Sequence, residues 1–227
     1  MRRTLTICTI FLFLTLMTAC NVANEEAGEA VKYIISKTLE QPSSWHGSFI
    51  VRNEGGGSLI HTTYNGVHND DGYRVAIDTQ GMGFDSQADV KKEGDSLYVK
   101  LPNSANWQKT TSQDLKMLGL GFTYNPIEFV KFLQDFDVHI STTHAKNVYK
   151  ILVQAKGEMP FTPTVAAITG TDQLLPLDVP EIYVEVNPEN QTLRSLVMGV
   201  NYTGGISVSY EAQITKERGN NNAENSN

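Results

Sequence analysis

"GYRVAIDTQ", residues 72–80, puts Tyr73, Val75 and Ile77 on one side of an extended chain and Arg74, Ala76 and Asp78 on the other. Alternation of this kind is the pattern of a strand buried on one face only. The turn sequence "NDDG" (69–72) stands before it. The same pattern repeats nearby. "WHGSFIVRN" (45–53), "SLIHTTYNGV" (58–67) and "DSLYVKLP" (95–102) are β-branched and aromatic runs separated by Gly, Asn and Asp, and "NEGGGS" (53–58) is turn chemistry between the first two. In "LYVKL", Leu97, Val99 and Leu101 point one way. These stretches predict a meander of antiparallel strands with one apolar and one wet face.

Two further strand groups follow. "DVHISTTH" (137–144) and "NVYKILVQAKG" (147–157) form a pair around Ala145–Lys146. After a proline-rich stretch, residues 181–215 read as three strands split by "NPENQ" (187–191) and "TGG" (203–205). No internal repeat is visible, and the length, 227 residues, suits one ordinary domain or at most two small ones.

Two helices interrupt the strand pattern. In "EAGEAVKYIISKTLE" (26–40), Ala27, Ala30, Val31, Ile34, Ile35 and Leu39 form one stripe, acids sit near the start, and Gln41–Pro42 ends it. In "LGLGFTYNPIEFVKFL" (118–133), Asn125 caps a helix with Pro126 at its first position and Glu128 at the capping-box position. Phe129, Val130, Phe132, Leu133 and Phe136 spread over about 160° of that helix, and Glu128, Lys131, Gln134 and Asp135 occupy the opposite arc with Ile127 among them. The stretch is broken by Gly119, Gly121 and Pro126, so it is too short and too interrupted to span a bilayer, which takes about 20 apolar residues. A one-faced sheet needs a cover, and this helix, with 26–40 as a second layer, supplies it. The cover either completes a filled core or closes over a hollow that the Gly119–Gly121 segment can open; the residues leave both open.

The first nineteen residues are a secretory signal, with Arg2 and Arg3 ahead of an apolar run and small residues at its end. "LMTAC" (16–20) resembles the bacterial lipobox, with Met17 where Leu is usual, and the resemblance implies an acylated Cys20 at the mature N-terminus and a lipid anchor on the extracytoplasmic face of the cell membrane. Cys8 leaves with the signal. The remaining single cysteine excludes an intrachain disulfide, a thiolate metal site and a Cys–His catalytic pair. Cleavage also removes two cations from a chain of formal charge -7, and no Lys/Arg cluster invites nucleic acid. The expected organisation is signal peptide 1–19, lipidated cysteine and tether 20–25, one domain 26–216, and a polar, disordered tail 217–227.

The order of acylated cysteine, amphipathic helix, strand meander, "GDSLYVKLPNSANWQKT" (94–110) with Trp107 and Lys109, and then "NPIEFVKFL" (125–133) resembles the LolA/LolB-like and LppX/LprG-like lipoprotein superfamily. That resemblance implies an α+β, mainly antiparallel fold: a curved open half-barrel sheet with helices covering an apolar concave face that holds acyl chains or lipidated protein.

Catalytic constellations are absent from the sequence. His46, His61, His68, His139 and His144 form no zinc-helix pair; His61 and His68 could meet only across a bend at "TYNGV". There is no G-x-S-x-G elbow or phosphate loop, and "GGGS" precedes a strand where a phosphate site needs a helix. Asp70–Asp71 and Asp135/Asp137 show no spacing that makes a catalytic pair. The matches to the glycosylation sequon at 190–192 and 201–203 are assigned to chance. The expectation is a lipoprotein that is not an enzyme and has no cofactor or metal. Leu118, Leu120, Phe122, Ile127, Phe129, Val130, Phe132, Leu133 and Phe136 line or cover a site for a lipid or lipoprotein ligand. The alternative is a structural lipoprotein with a filled core that supports an envelope partner.

Overall fold

The computed structural model describes residues 29–81, 84–117, 126–135, 138–142, 148–153, 162–170 and 174–216. Eleven strands form one sheet: β1 (Ser43–Arg52), β2 (Ser58–Asn69), β3 (Gly72–Gly81), β4 (Phe84–Glu93), β5 (Ser96–Lys100), β6 (Gln108–Thr110), β7 (Val138–Thr142), β8 (Val148–Val153), β9 (Glu181–Asn187), β10 (Thr192–Tyr202) and β11 (Ile206–Lys216). Among the described residues four α-helices accompany them: α1 over residues 29–39, α2 (Ser112–Met117), α3 (Pro126–Asp135) and α4 (Thr162–Thr169).

The spatial order is β6-β5-β4-β3-β2-β1-β11-β10-β9-β8-β7. Every neighbouring pair is antiparallel. The fold is thus two meanders, β1–β6 and β7–β11, joined at the centre where the first strand pairs with the last. β6 and β7 are the two edges and do not pair, so the sheet is open.

One face is buried from β8 across to β3. Across the strands, Ile151, Ile182, Met198, Tyr210, Phe49, Thr62 and Thr79 follow one another as ladder partners, and all are buried. The two threonines belong in such a row because their hydroxyls bond each other at 3.0 Å, which offsets the cost of burying them. Tyr73, Val75 and Ile77 are buried on this face, while Arg74 and Ala76 are exposed, as the alternation predicts.

The "GGGS" turn is a hairpin turn. Gly57 N–H donates to Asn53 Oδ1 (3.0 Å), and Gly56 takes φ = 75°, which a side chain would disfavour. At "TGG", Gly204 and Gly205 are both left-handed, with φ of 75° and 69°.

Four elements were not predicted from the sequence. β4, "FDSQADVKKE", lies between the strands read at 72–80 and 95–102; among its described side chains Ala88 and Val90 are buried, a faint pattern, and its neighbours on both sides impose the strand. β6 is three residues long. α2 has a reciprocal cap, in which Asp114 N–H donates to Thr111 Oγ1 (3.1 Å) and Thr111 N–H donates to Asp114 Oδ2 (3.0 Å). α4 is rich in Thr and β-branched residues, poor helix formers in isolation; Thr162 Oγ1 and Tyr202 Oη tie it to β10 at 2.9 Å.

Helix α1 is docked by a ladder defect. The β9–β10 register slips between Leu193 and Ser195, so Thr192 and Leu193 are both buried in succession. Leu193 N–H donates to Thr38 Oγ1 at 2.8 Å, and the Thr38 hydroxyl donates to the Ile34 carbonyl at 2.8 Å. Val31, Ile34 and Ile35 of the predicted stripe are buried, and Ala30 and Leu39 are half-buried.

Candidate functional site

The connection between β6 and β7, residues 111–137, runs from one edge of the sheet to the other. Laid flat, eleven strands span about 48 Å between those edges. This strap carries α2 and α3. Leu115, Ile127, Phe129, Val130 and Leu133 are all buried in the same apolar cluster as the inner face. The Phe129 ring stacks on Tyr210 of the central strand β11, with centroids 4.9 Å apart and planes 28° from parallel. Such a pair contributes about 0.5–1.5 kcal/mol beyond its buried area.

Beneath this contact, Tyr64 of β2 lies across β1. Its hydroxyl donates to the Glu211 carbonyl of β11 at 2.7 Å. It can do so because the residue between is Gly47. A Cβ there would stand 2.2 Å from the Glu211 carbonyl oxygen and 2.6 Å from Tyr64 Oη. The Tyr64 and Tyr210 rings are 6.1 Å apart, and Tyr210 is hydrogen-bonded to the Tyr64 hydroxyl. Burial raises both phenols far above the ordinary tyrosine value, and at Tyr210 the neighbouring Tyr64 adds to the shift. Both hydroxyls therefore act at neutral pH as structural donors.

Of the predicted lining residues, the structure brings Ile127, Phe129, Val130 and Leu133 together on α3. Leu118, Leu120, Phe122, Phe136 and Cys20, the Phe132 side chain and the Asn125–Glu128 cap lie outside the described residues. The sequence reading missed Tyr64, Tyr210 and Gly47. The visible signal was an inward glycine paired with an inward tyrosine, which needs the strand register to be seen.

The outer face is wet and grooved. Three adjoining depressions, of about 410, 480 and 330 Å³, cross β1–β5 around Asn65, Ala76, Arg74, Asp89 and Trp107. Arg74 pairs with Asp89 at 2.9 Å, and Arg74 and Lys91 lie 5.5 and 5.0 Å from the Trp107 ring. His61 and His68 do not face each other: "TYNGV" is not a bend but part of the continuous strand β2, ladder-paired on both sides. Among the described residues no group of three or more His, Cys, Asp or Glu is placed to hold a metal ion, and no helix is long and apolar enough to cross a membrane. Farther along the sheet, Lys150 pairs with Glu181, which lowers the Glu181 carboxyl and raises the Lys150 ammonium. Tyr183, the ladder partner of both Lys150 and Val197, is exposed, as are Val197, Leu175, Leu177 and Val179. Leu177 N–H to the Asn201 carbonyl (2.8 Å) and Thr203 N–H to the Leu175 carbonyl (2.9 Å) hold the Leu175–Leu177 segment against β10.

No protein-family model matches the chain, and no curated protein matches it. Among solved structures the chain is similar to a LolA superfamily protein from Nitrosomonas europaea, at 9% identity over 83% of this chain and 94% of that one, with a TM-score of 0.37. It is also similar to a DUF1329 family protein from Desulfovibrio piger, at 9% identity over 86% and 94%, TM-score 0.39. A third likeness is to the Pseudomonas aeruginosa MucA/MucB complex structure, at 9% identity over 88% of this chain and 61% of that one, TM-score 0.36. Likenesses at this level do not indicate a ligand, an activity or a partner.

Proposed function

We propose that this chain is a membrane-anchored extracytoplasmic lipoprotein. Its sheet bends into a half-barrel, the helices cover its concave side, and that side binds an apolar ligand, an acyl chain, lipid or lipidated protein, without catalysing a reaction. The observation that carries the reading is the strap. A single connection joins the two free edges and rests its apolar midpoint on the central strand. A large open sheet twists and coils, and a strap across the hollow side is a resident plug that a ligand can displace. The magnitudes permit exchange. Five buried strap side chains contribute about 10 kcal/mol at about 2 kcal/mol each. An acyl chain of about sixteen carbons contributes on the order of 10 kcal/mol at about 0.8 kcal/mol per methylene. Binding and release are then near balance. Acylated Cys20 would hold the domain at the bilayer.

Native mass spectrometry of the purified chain tests the ligand: a co-purifying lipid supports it, and a bare mass with no uptake of an apolar dye counts against it. Labelling with a fatty-acid analogue, compared with Cys20→Ala, tests the anchor, which fails if both partition alike in detergent.

The second reading is a tethered interaction lipoprotein with a filled core that supports an envelope partner. The exposed side chains of Leu175, Leu177 and Val179 favour it, since they offer apolar surface to such a partner.

A further inference from the structure

Gln41 Oε1, Ser43 Oγ and Trp45 Nε1 are enclosed at one end of the buried face with no hydrogen-bond partner among the described residues. Each is a group that proteins rarely leave unmatched. They sit together. Ser43 is the ladder partner of His68, which pairs in turn with Tyr73. The Trp45 ring lies over Gly66, where a Cβ would stand 2.5 Å from it, and meets Tyr73 edge-on with centroids 6.5 Å apart. Ser43 and Trp45 are each 3% exposed. Gln41 lies two residues beyond the end of α1, between that helix and β1.

The donor set defines the chemistry. Trp45 Nε1–H only donates, Gln41 Oε1 only accepts, and the Ser43 hydroxyl does both. None of the three is charged. Lys92 and Lys216 are the ladder partners that flank the row, beside Tyr73 and Ser43; Lys216 is exposed at the strand end and Lys92 is half-buried with an interaction of its own. The corner therefore suits a neutral group that both accepts and donates, such as a hydroxyl next to an ester carbonyl.

We propose that Gln41, Ser43 and Trp45 seat the neutral polar head of an amphipathic ligand whose chain lies along the apolar face. This rests on the carrier reading and gives it a ligand class: neutral acylglycerol-type or acyl-ester molecules. Entry requires the segment between α1 and β1 to lift, because the three atoms are enclosed when the site is closed. The closed state then holds unmatched polar groups that the ligand's head satisfies.

The test uses the full chain carrying Trp107→Phe, which leaves Trp45 as the only tryptophan, since the chain has two. Its emission is followed on titration with 1-monocapryloylglycerol, octanoate and octane. The expected result is a red shift on binding the glyceride, with affinity at least tenfold above that for octanoate, and loss of that preference in Ser43→Ala with octane binding unchanged. In the ligand-free state Ser43→Ala is as stable as the parent in urea, since it removes an unmatched group. Equal affinity for all three chains overturns the head seat while the carrier reading stands. Tighter octanoate binding overturns the neutral assignment, and so does a destabilised Ser43→Ala, which would mean that the hydroxyl has a resident partner. No binding by any of the three overturns the carrier reading itself and the head seat with it.

Discussion

Phe129 of the strap and Tyr210 of the last strand stack at 4.9 Å, so the segment that joins the sheet's two edges is fastened at its middle to the strand that closes the two meanders. Phe129→Ala is expected to cost about 3–5 kcal/mol in urea unfolding. If the strap is a displaceable plug, the same variant also takes up more of an apolar dye under native conditions. Loss of stability with no gain in uptake would favour the filled core.

Gly47→Ala is expected to destabilise by about 1–3 kcal/mol, because the added carbon meets a backbone carbonyl at 2.2 Å and the Tyr64 hydroxyl at 2.6 Å. Gly199→Ala on β10 is the control. Nothing lies within 4 Å of its Cβ position, and its cost should stay within about 0.5 kcal/mol.

Tyr64 and Tyr210 set an alkaline limit. Their folded values are raised, so their contribution is complete below the ordinary tyrosine value of about 10 and is lost as pH climbs from there toward the shifted values. Absorbance titration of the nine tyrosines should show two that ionise only as the chain unfolds. In Tyr64→Phe, one late phenol disappears and the alkaline transition moves. An unchanged titration would refute the buried pair.

Thr38→Val keeps the shape of the side chain and removes the acceptor for Leu193 N–H at the β10 bulge. The unmatched amide should cost about 1–3 kcal/mol, read as a lower urea midpoint at constant slope. Hydrogen exchange at Leu193 should quicken ahead of its neighbours. Without that local change, the bulge does not dock α1.

Lys150→Met should let the Glu181 carboxyl rise toward the ordinary glutamate value in an NMR titration, since its depression comes first from the Lys150 hydrogen bond and then from Tyr183. In the parent the pair's contribution is present above the unfolded glutamate value and fades as pH falls through the depressed one. Both groups are near the surface, so salt should weaken the effect.

Most strands were readable because each carries its own instruction. Tyr73, Val75 and Ile77 alternate with polar residues, and a period of two survives whatever the neighbours are. β4 was not readable. Its Ala88 and Val90 bury little, and it is a strand because β3 and β5 bond it on both sides. The α3 face was legible from its helical spacing, but its seat on Tyr210 was not, since that contact spans 81 residues of chain.

The sequence alone determined the alternating strands, the turn glycines, and the α1 and α3 stripes, because periodicity and backbone freedom act over a few residues. The tertiary structure decided that the first and last strands meet at the centre, that one strap spans both edges, and that Tyr64 reaches across Gly47 to Glu211. These follow from strand register, which arises only when distant segments compete to bury the same face.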